Sequence, residues 1–414
     1  MRNLYFIYIF ALSFVPVLVQ ETLLFNVGTF GVYLLDALDF IVLIAILRIA
    51  PIRRDLFCSV EEVLFVLLLI WLIVEILLGF TRFGYRALGE SRTVVNFFSF
   101  VLPYAVLYRK RRSPSAEETL RLLRGTVLCA AAGALLFFFL GPFMGMTTTD
   151  FRGEKILGSQ QTFYVLVSAV WLLVLRRGRG ANRSLTIILA VALVVLGIFS
   201  KNRTPLVALG LVYFFYLFFS GRLRSFVGIA SISVVMFLLA SFIFPKMSEE
   251  AIVALQGISD PSTDQDFQWR VLVQDAALEQ GLSNFWMGEG FGNYYEFTYP
   301  GKYGMEVSQA PPHNQFLMLF LKAGAVGVGL WVVAMTVFCF RLSRGLSGLS
   351  RNSLARSGFV LILLIVVSQF LYGMAYDFIP FYGIYCGFGC ILLKCSGSGS
   401  VESIAEPTPA VRSE

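Results

Sequence analysis

Apolar residues run through this chain in long blocks, separated by short polar connections that carry most of the arginines. A helix needs about 20 apolar residues to cross a bilayer. Twelve blocks meet that length within error: 4–20, 33–50, 60–79, 93–108, 125–144, 161–175, 184–200, 204–220, 224–244, 314–340, 357–375 and 378–393. Asp36 and Asp39 interrupt the start of the second block. The pattern predicts an all-α polytopic membrane protein of about twelve transmembrane helices. One connection differs from the rest, the large loop from Pro245 to Pro312. Within it, Ser248 to Gly257 and Phe267 to Gln280 have helical apolar spacing, the latter through Trp269, Val273, Ala276 and Ala277. A glycine stretch, Gly288-Glu289-Gly290-Phe291-Gly292, and an aromatic segment with Tyr294, Tyr295, Tyr299 and Tyr303 follow. The chain thus divides into helices one to nine (1–244), a loop with short helices (245–312), helices ten to twelve (313–395) and a polar tail (396–414) whose composition predicts disorder.

Composition sharpens this. Of 414 residues, 57% are hydrophobic and 14% charged, against about 25% charged in a soluble domain. With a mean hydropathy of +0.76, disorder, a coiled coil and an ordinary water-soluble enzyme are excluded. Arg2 precedes the apolar run Leu4 to Val19, but Val19-Gln20-Glu21 is not a small-residue cleavage pattern, so the run reads as a retained first span. With the N-terminus inside, 22 of the 33 lysines and arginines fall on the inner side and ten on the outer. That bias puts both termini in the cytoplasm and the large loop outside. It also accounts for the net charge of +7 without a nucleic-acid partner. The cysteines lie in spans or at cytoplasmic ends, where disulfides are rare. Cys386 and Cys390 share a helix face, but no histidine or carboxylate stands beside them to complete a metal site.

Ten cations on the outer side are more than an orientation rule explains. Arg203 lies in Ser200-Lys201-Asn202-Arg203-Thr204, a very short turn between two spans, and Arg270 lies in Gln268-Trp269-Arg270 on a loop helix. Two guanidiniums converging on one site suit a pyrophosphate, because the planar fork donates paired hydrogen bonds to phosphate oxygens. The alternative is that each stem snorkels to the headgroups as an interfacial anchor. Arg82, Arg86 and Arg92 form a second outer group. His313, the single histidine, follows Pro311-Pro312 and precedes a span. The positive end of that helix disfavours imidazolium, and a neutral imidazole can take a proton from an attacking hydroxyl. The alternative there is a surface histidine that caps the helix. The glycine run lacks the dinucleotide-binding spacing; it reads as a tight backbone path toward a ligand, with the tyrosines as sugar platforms or an interfacial belt. Charges inside spans are costly and often functional. Glu75, Lys322, Asp36 and Asp39 therefore make the case for a transporter, with a Glu75–Lys322 pairing as one possibility.

The segments Gly288-Glu289-Gly290-Phe291-Gly292, His313-Asn314-Gln315-Phe316-Leu317 and Gly324-Ala325-Val326-Gly327 resemble the O-antigen ligase and polymerase superfamily of bacterial membrane glycosyltransferases. Ser200-Lys201-Asn202-Arg203-Thr204 is similar to that family's Ser-x-Ser-Arg element, with Asn202 in place of the second serine. Trp269-Arg270 is similar to its loop-helix arginine. The motifs cover about Ser200 to Gly327, and the likeness elsewhere is one of hydropathy. The resemblance implies a metal- and cofactor-independent, GT-C-like inverting transferase in the bacterial inner membrane. Its donor would be a glycan on undecaprenyl pyrophosphate and its acceptor a sugar hydroxyl of lipid A-core. A second lipid-linked repeat as acceptor would make it a polymerase, and a protein acceptor an oligosaccharyltransferase. It implies His313 as the base and Arg203 and Arg270 on the pyrophosphate, with Arg82, Arg86, Asn314, Gly290 and Gly292 as secondary candidates. The family often has an acidic residue where Lys322 stands, so no carboxylate role carries over to that position.

Overall fold

The computed structural model describes residues 1–14, 23–27, 30–49, 59–90, 98–108, 113–141, 148–150, 153–155, 157–175, 183–219, 223–243, 265–293, 297–301, 304–308, 312–349, 354–374 and 380–397, with isolated positions between 244 and 265. In chain order the helices are α1 (Arg2–Phe14), α2 (Leu34–Ile49), α3 (Val60–Phe83), α4 (Tyr85–Glu90), α5 (Val101–Leu107), α6 (Ala116–Leu140), α7 (Ser159–Leu175) and α8 (Arg183–Phe199). They continue with α9 (Arg203–Phe219), α10 (Leu223–Ile243), α11 (Gln265–Ser283), α12 (Gln315–Ser347), α13 (Leu354–Gly373) and α14 (Pro380–Gly397). Each of the twelve apolar blocks contains a helix, and α11 is the helix expected in the loop. The stretch Ser248 to Gly257, Tyr294, Tyr295, Tyr303 and the tail from 398 lie outside the described residues.

Among the described residues four helices are, by length and composition, able to cross a membrane: Val60–Phe83, Ala116–Leu140, Gln315–Ser347 and Ala355–Gly373. Shorter apolar helices occupy Ser159–Val174, Thr186–Phe199, Thr204–Phe218, Val227–Leu239 and Tyr382–Ser396. Their outward faces are apolar. On α3, Val63, Leu67, Ile70, Val74 and Leu77 are exposed, while Phe65, Leu68, Leu72 and the carboxylates Glu61, Glu62 and Glu75 face inward. An exposed aliphatic stripe over a polar-containing interior is the reverse of a water-soluble helix. Side-chain contacts fix the relative direction of two helix pairs. Tyr5 bonds Thr126 at 2.6 Å while Ser13 and Phe14 lie against Gly133, so α1 and α6 run parallel. Arg341 reaches Glu61 while Trp71 reaches Ala323, so α3 and α12 run antiparallel.

Two features depart from the hydropathy pattern. Among the described residues, three two-stranded antiparallel hairpins lie in the connections: β1–β2 (Leu23–Val27, Phe30–Tyr33), β3–β4 (Thr148–Asp150, Gly153–Lys155) and β5–β6 (Phe297–Gly301, Gly304–Ser308). They are too short to register in a search for spans. The all-α expectation holds for the apolar body and is corrected in its loops. The second departure is in α12, which the sequence reads as one long span opening at 314. Gly324 has φ 64 and ψ −169 and divides it into a short arm, 315–323, and a long arm, 325–347. The ring centroids of Phe316 and Trp331 are 5.0 Å apart, although in one straight helix those positions lie about 22 Å apart. The short arm therefore folds back along the start of the long one. The long arm alone, about 34 Å at 1.5 Å per residue, still matches a bilayer core.

A broken helix leaves backbone groups that must find partners away from water. The loop after α11 supplies them. Ala325 N–H donates to Phe285 O at 2.7 Å and Val326 N–H to Trp286 O at 3.3 Å. In return, Glu289 N–H donates to Leu321 O at 2.7 Å and Gly290 N–H to Lys322 O at 3.1 Å. Trp71 Nε1–H donates to Ala323 O at 3.0 Å. The loop is thus inserted into the break and satisfies both of its faces.

Candidate active site

His313 stands at the start of α12. Asn314 is the N-cap of α12: its side chain accepts from Phe316 N–H at 3.1 Å and Leu317 N–H at 3.2 Å. Capping therefore belongs to Asn314, and His313 stands one residue outside the helix. Its backbone is left-handed, with φ 46. The other described non-glycine residue with positive φ is Lys201, at φ 61, two positions before Arg203. Left-handed backbone is costly for residues with a Cβ and concentrates at functional sites. Here both instances adjoin residues singled out for chemistry.

α11 lies against the short arm of α12. Val273, Ala277 and Leu321 form a buried cluster with Trp269 and Leu317 packed on it, and the indole of Trp269 meets the His313 ring at 5.4 Å between centroids. That contact brings the Trp269-Arg270 motif and the histidine together, and Arg270 itself is half-buried. Next to His313, Gln315 is buried and lies against Gly373 at the end of α13. Tyr372, one residue earlier, donates its hydroxyl to Ser159 Oγ at 3.0 Å, which ties α13 to the first turn of α7.

The turn before Arg203 is fixed by the same end of α7. Asn202 Nδ2 donates to Leu157 O at 2.8 Å and to Thr162 Oγ1 at 2.9 Å. Thr162 Oγ1 also bonds Ser200 Oγ at 2.9 Å. Asparagine in place of serine fits here because a carboxamide carries two N–H donors and reaches both acceptors at once. Arg203 opens α9 directly after this locked turn, at a helix N-terminus whose free N–H groups favour an anion; its side chain lies outside the described ones. A contiguous set of contacts therefore runs from the Arg203 turn through Thr162, Ser159, Tyr372 and Gly373 to Gln315 and His313.

Of the secondary candidates, Asn314 adjoins His313 as the cap of α12. Arg82 and Arg86 are exposed where α3 gives way to α4, and Arg92 lies outside the described residues. Gly288, Gly290 and Gly292 have φ of 75, 80 and 93. A Cβ on Gly288 would sit 2.6 Å from Gly324 N, one on Gly290 3.4 Å from Gly79 Cα, and one on Gly292 2.7 Å from Ala87 N. The run is read from sequence as a path toward a ligand; in the structure it is a path between α3, α4 and the break in α12. Positive φ and close packing together call for glycine at each of these positions.

Lys322 also has a different partner from the one considered. Its ammonium pairs with Glu90 at 2.6 Å, not with Glu75, which is buried with Oε1 unpartnered. Glu90 carries no motif, and the sequence signal for it was only an acidic residue just past a span end. Among the described residues no group of three or more His, Cys, Asp or Glu is placed to hold a metal ion.

Residues 188–332 match the family model described as O-antigen ligase. Over this segment, about a third of the chain, the protein is similar to the O-antigen ligase family. The matched stretch runs from α8 into the long arm of α12, and so contains the Arg203 turn, α11, the glycine loop, His313 and the break at Gly324. No curated protein matches the chain. The match and the apolar helices together support an integral membrane protein.

Proposed function

We propose that this protein moves a glycan from undecaprenyl pyrophosphate to a sugar hydroxyl of lipid A-core, at the periplasmic face of the bacterial inner membrane. The observation that carries the reading is His313 itself: uncapping, left-handed, held against Trp269 beside Arg270, and one contact network away from the Arg203 turn. Arg203 and Arg270 hold the donor pyrophosphate and stabilise the negative charge that grows on it as the bond breaks. His313 takes the proton from the acceptor hydroxyl while that oxygen bonds the anomeric carbon. The anomeric carbon–phosphate oxygen bond breaks in the same step, undecaprenyl pyrophosphate leaves, and the configuration inverts. No metal or cofactor is assigned a part. With a second lipid-linked repeat as acceptor, the same chemistry makes the protein a polymerase.

The test is a gel of lipopolysaccharide from a deletion strain of an O-antigen-producing host, with the wild-type gene or His313→Ala restored. The ligase reading expects bare core in the deletion, polymer accumulating on the lipid carrier, and no rescue by His313→Ala despite normal insertion. Core carrying a single repeat assigns the protein as the polymerase. Rescue by His313→Ala removes His313 from the mechanism. The transporter reading predicts the opposite sensitivity, with loss at Glu75 or Lys322 and tolerance at His313. The Lys322–Glu90 pair gives Lys322 a structural occupation that does not need a transported ion.

A further inference from the structure

We propose that Lys322 is a positioning residue for the transfer reaction: its ion pair with Glu90 latches the inserted loop and so fixes the short arm of α12 that carries His313. This rests on the reading of His313 as the base.

The side chain of Lys322 is 3% exposed, in a helix otherwise apolar on that turn, where an ammonium is expensive unless it is paired. Here it is paired on several sides. It meets Glu90 at 2.6 Å and donates to Asn293 O at 2.6 Å. The same Glu90 carboxylate accepts from Gly292 N–H at 2.7 Å, and the Lys322 carbonyl accepts from Gly290 N–H. One lysine therefore joins α4, the glycine loop and the break in α12. It also sits in the last turn of the short arm, the negative end of that small helix, where a cation is favoured. Glu289 secures the loop from within, accepting from Ser283 and Asn284 at 2.9 Å each and from Asn293 at 3.2 Å.

Leverage connects this latch to chemistry. The arm from 315 to 323 is about 13 Å long, with Lys322 at one end and His313 just beyond the other. A tilt of about 10° at the latched end moves the histidine by about 2 Å, and misplacement of about 1 Å can cost about 100-fold in rate. Lys322 touches no reacting atom; its effect is on where the base stands.

The experiment is a double-mutant cycle on the full-length protein in lipid nanodiscs: Lys322→Met, Glu90→Gln and the pair together. Transfer is measured from a lipid-linked glycan to lipid A-core and to a second lipid-linked glycan. In parallel, amide hydrogen exchange is followed at Glu289, Gly290, Ala325 and Val326. Lys322→Met is expected to lower kcat at least about tenfold with the donor KM within about twofold, and to speed exchange at those amides while the start of α3 stays protected. Glu90→Gln should act in the same direction, and the double variant should cost no more than the worse single one. Unchanged exchange overturns the latch. Faster exchange with unchanged kcat overturns the positioning role, as do additive losses in the double variant. Should Lys322→Met lose protection throughout, Glu90→Gln, which keeps the carboxylate's shape, decides by the same criteria. If wild-type protein transfers to neither acceptor, the functional reading fails, while the exchange data still decide the latch.

Discussion

α3 and the long arm of α12 run side by side, and their two ends are fastened in different ways. At the Glu62 end the helices are continuous and the fastening is by side chains. Ser59 and Glu62 form a capping box at the start of α3, Lys394 of α14 meets Glu62 at 2.8 Å, Tyr104 of α5 donates to the same carboxylate, and Arg341 pairs with Glu61. At the Gly324 end the helix is broken, and the fastening is backbone to backbone through a loop threaded into the break. Side-chain pairs hold a helix that would form anyway. A threaded break holds a geometry that no helix would adopt alone, which suits the end that carries His313, the base of the proposed transfer.

The difference predicts unequal responses. Gly324→Ala is expected to have the largest effect. Its φ of 64 and ψ of −169 lie in a region that is essentially glycine's alone, and a Cβ there would collide with the Trp286 carbonyl and sit 2.6 Å from Gly288 N. Expelling the loop leaves the four backbone partners unpaired at about 1–3 kcal/mol each. Transfer should fall at least about 100-fold, with rapid amide exchange at 284–293 and undisturbed exchange at the Glu62 end. Gly329→Ala, in the same helix but facing open space, is the control and should transfer normally. Equal activity of the two variants would show that the break is dispensable.

At the opposite end the expected order of effects reverses between stability and rate. Glu62→Gln keeps an acceptor for Ser59 and Tyr104 but leaves Lys394 without its carboxylate. Because the Glu62 side chain is fully buried and Lys394 is 26% exposed, the lysine can turn toward solvent, and the cost should be about 1–3 kcal/mol. The variant should melt several degrees lower in nanodiscs and yet transfer within about twofold of wild type per folded molecule. A loss of kcat without a loss of stability would mean that the two ends are mechanically coupled.

The same contrast explains what could be read from the sequence. Each long apolar helix left a hydropathy signal, so all twelve apolar blocks hold helices and α11 fell where Trp269, Val273 and Ala277 recur. His313, Arg270 and the Asn202 turn were legible because each stands out against its surroundings: one histidine, and cations on the side where few are expected. The break at Gly324 was not legible, since a glycine in an apolar stretch reads as an ordinary small packing residue, and the groups that fill the break lie some forty positions earlier. Gly288, Gly290 and Gly292 were legible as a close backbone approach, but spacing does not say what is approached, and α3, α4 and the break in α12 became visible only in the structure. Glu90 was missed for a related reason: its meaning comes only from Lys322, which no local pattern connects to it.

The smallest effect belongs to a pair that imitates the Glu62 end without its burial. Arg121 and Glu117 stand one turn apart on α6 at 2.8 Å, with side chains 68% and 63% exposed. They lie near the start of that helix, where Ser115 and Glu118 already form a capping box. Exposed pairs of this spacing contribute about 0.3–0.5 kcal/mol and are screened by salt. Arg121→Ala should therefore lower the melting temperature by no more than about a degree, less in high salt, with transfer unchanged. A drop comparable to that of Glu62→Gln would mean that ion-pair geometry, and not burial, sets the strength of the side-chain fastening, and would undo the contrast between the two ends on its thermodynamic side.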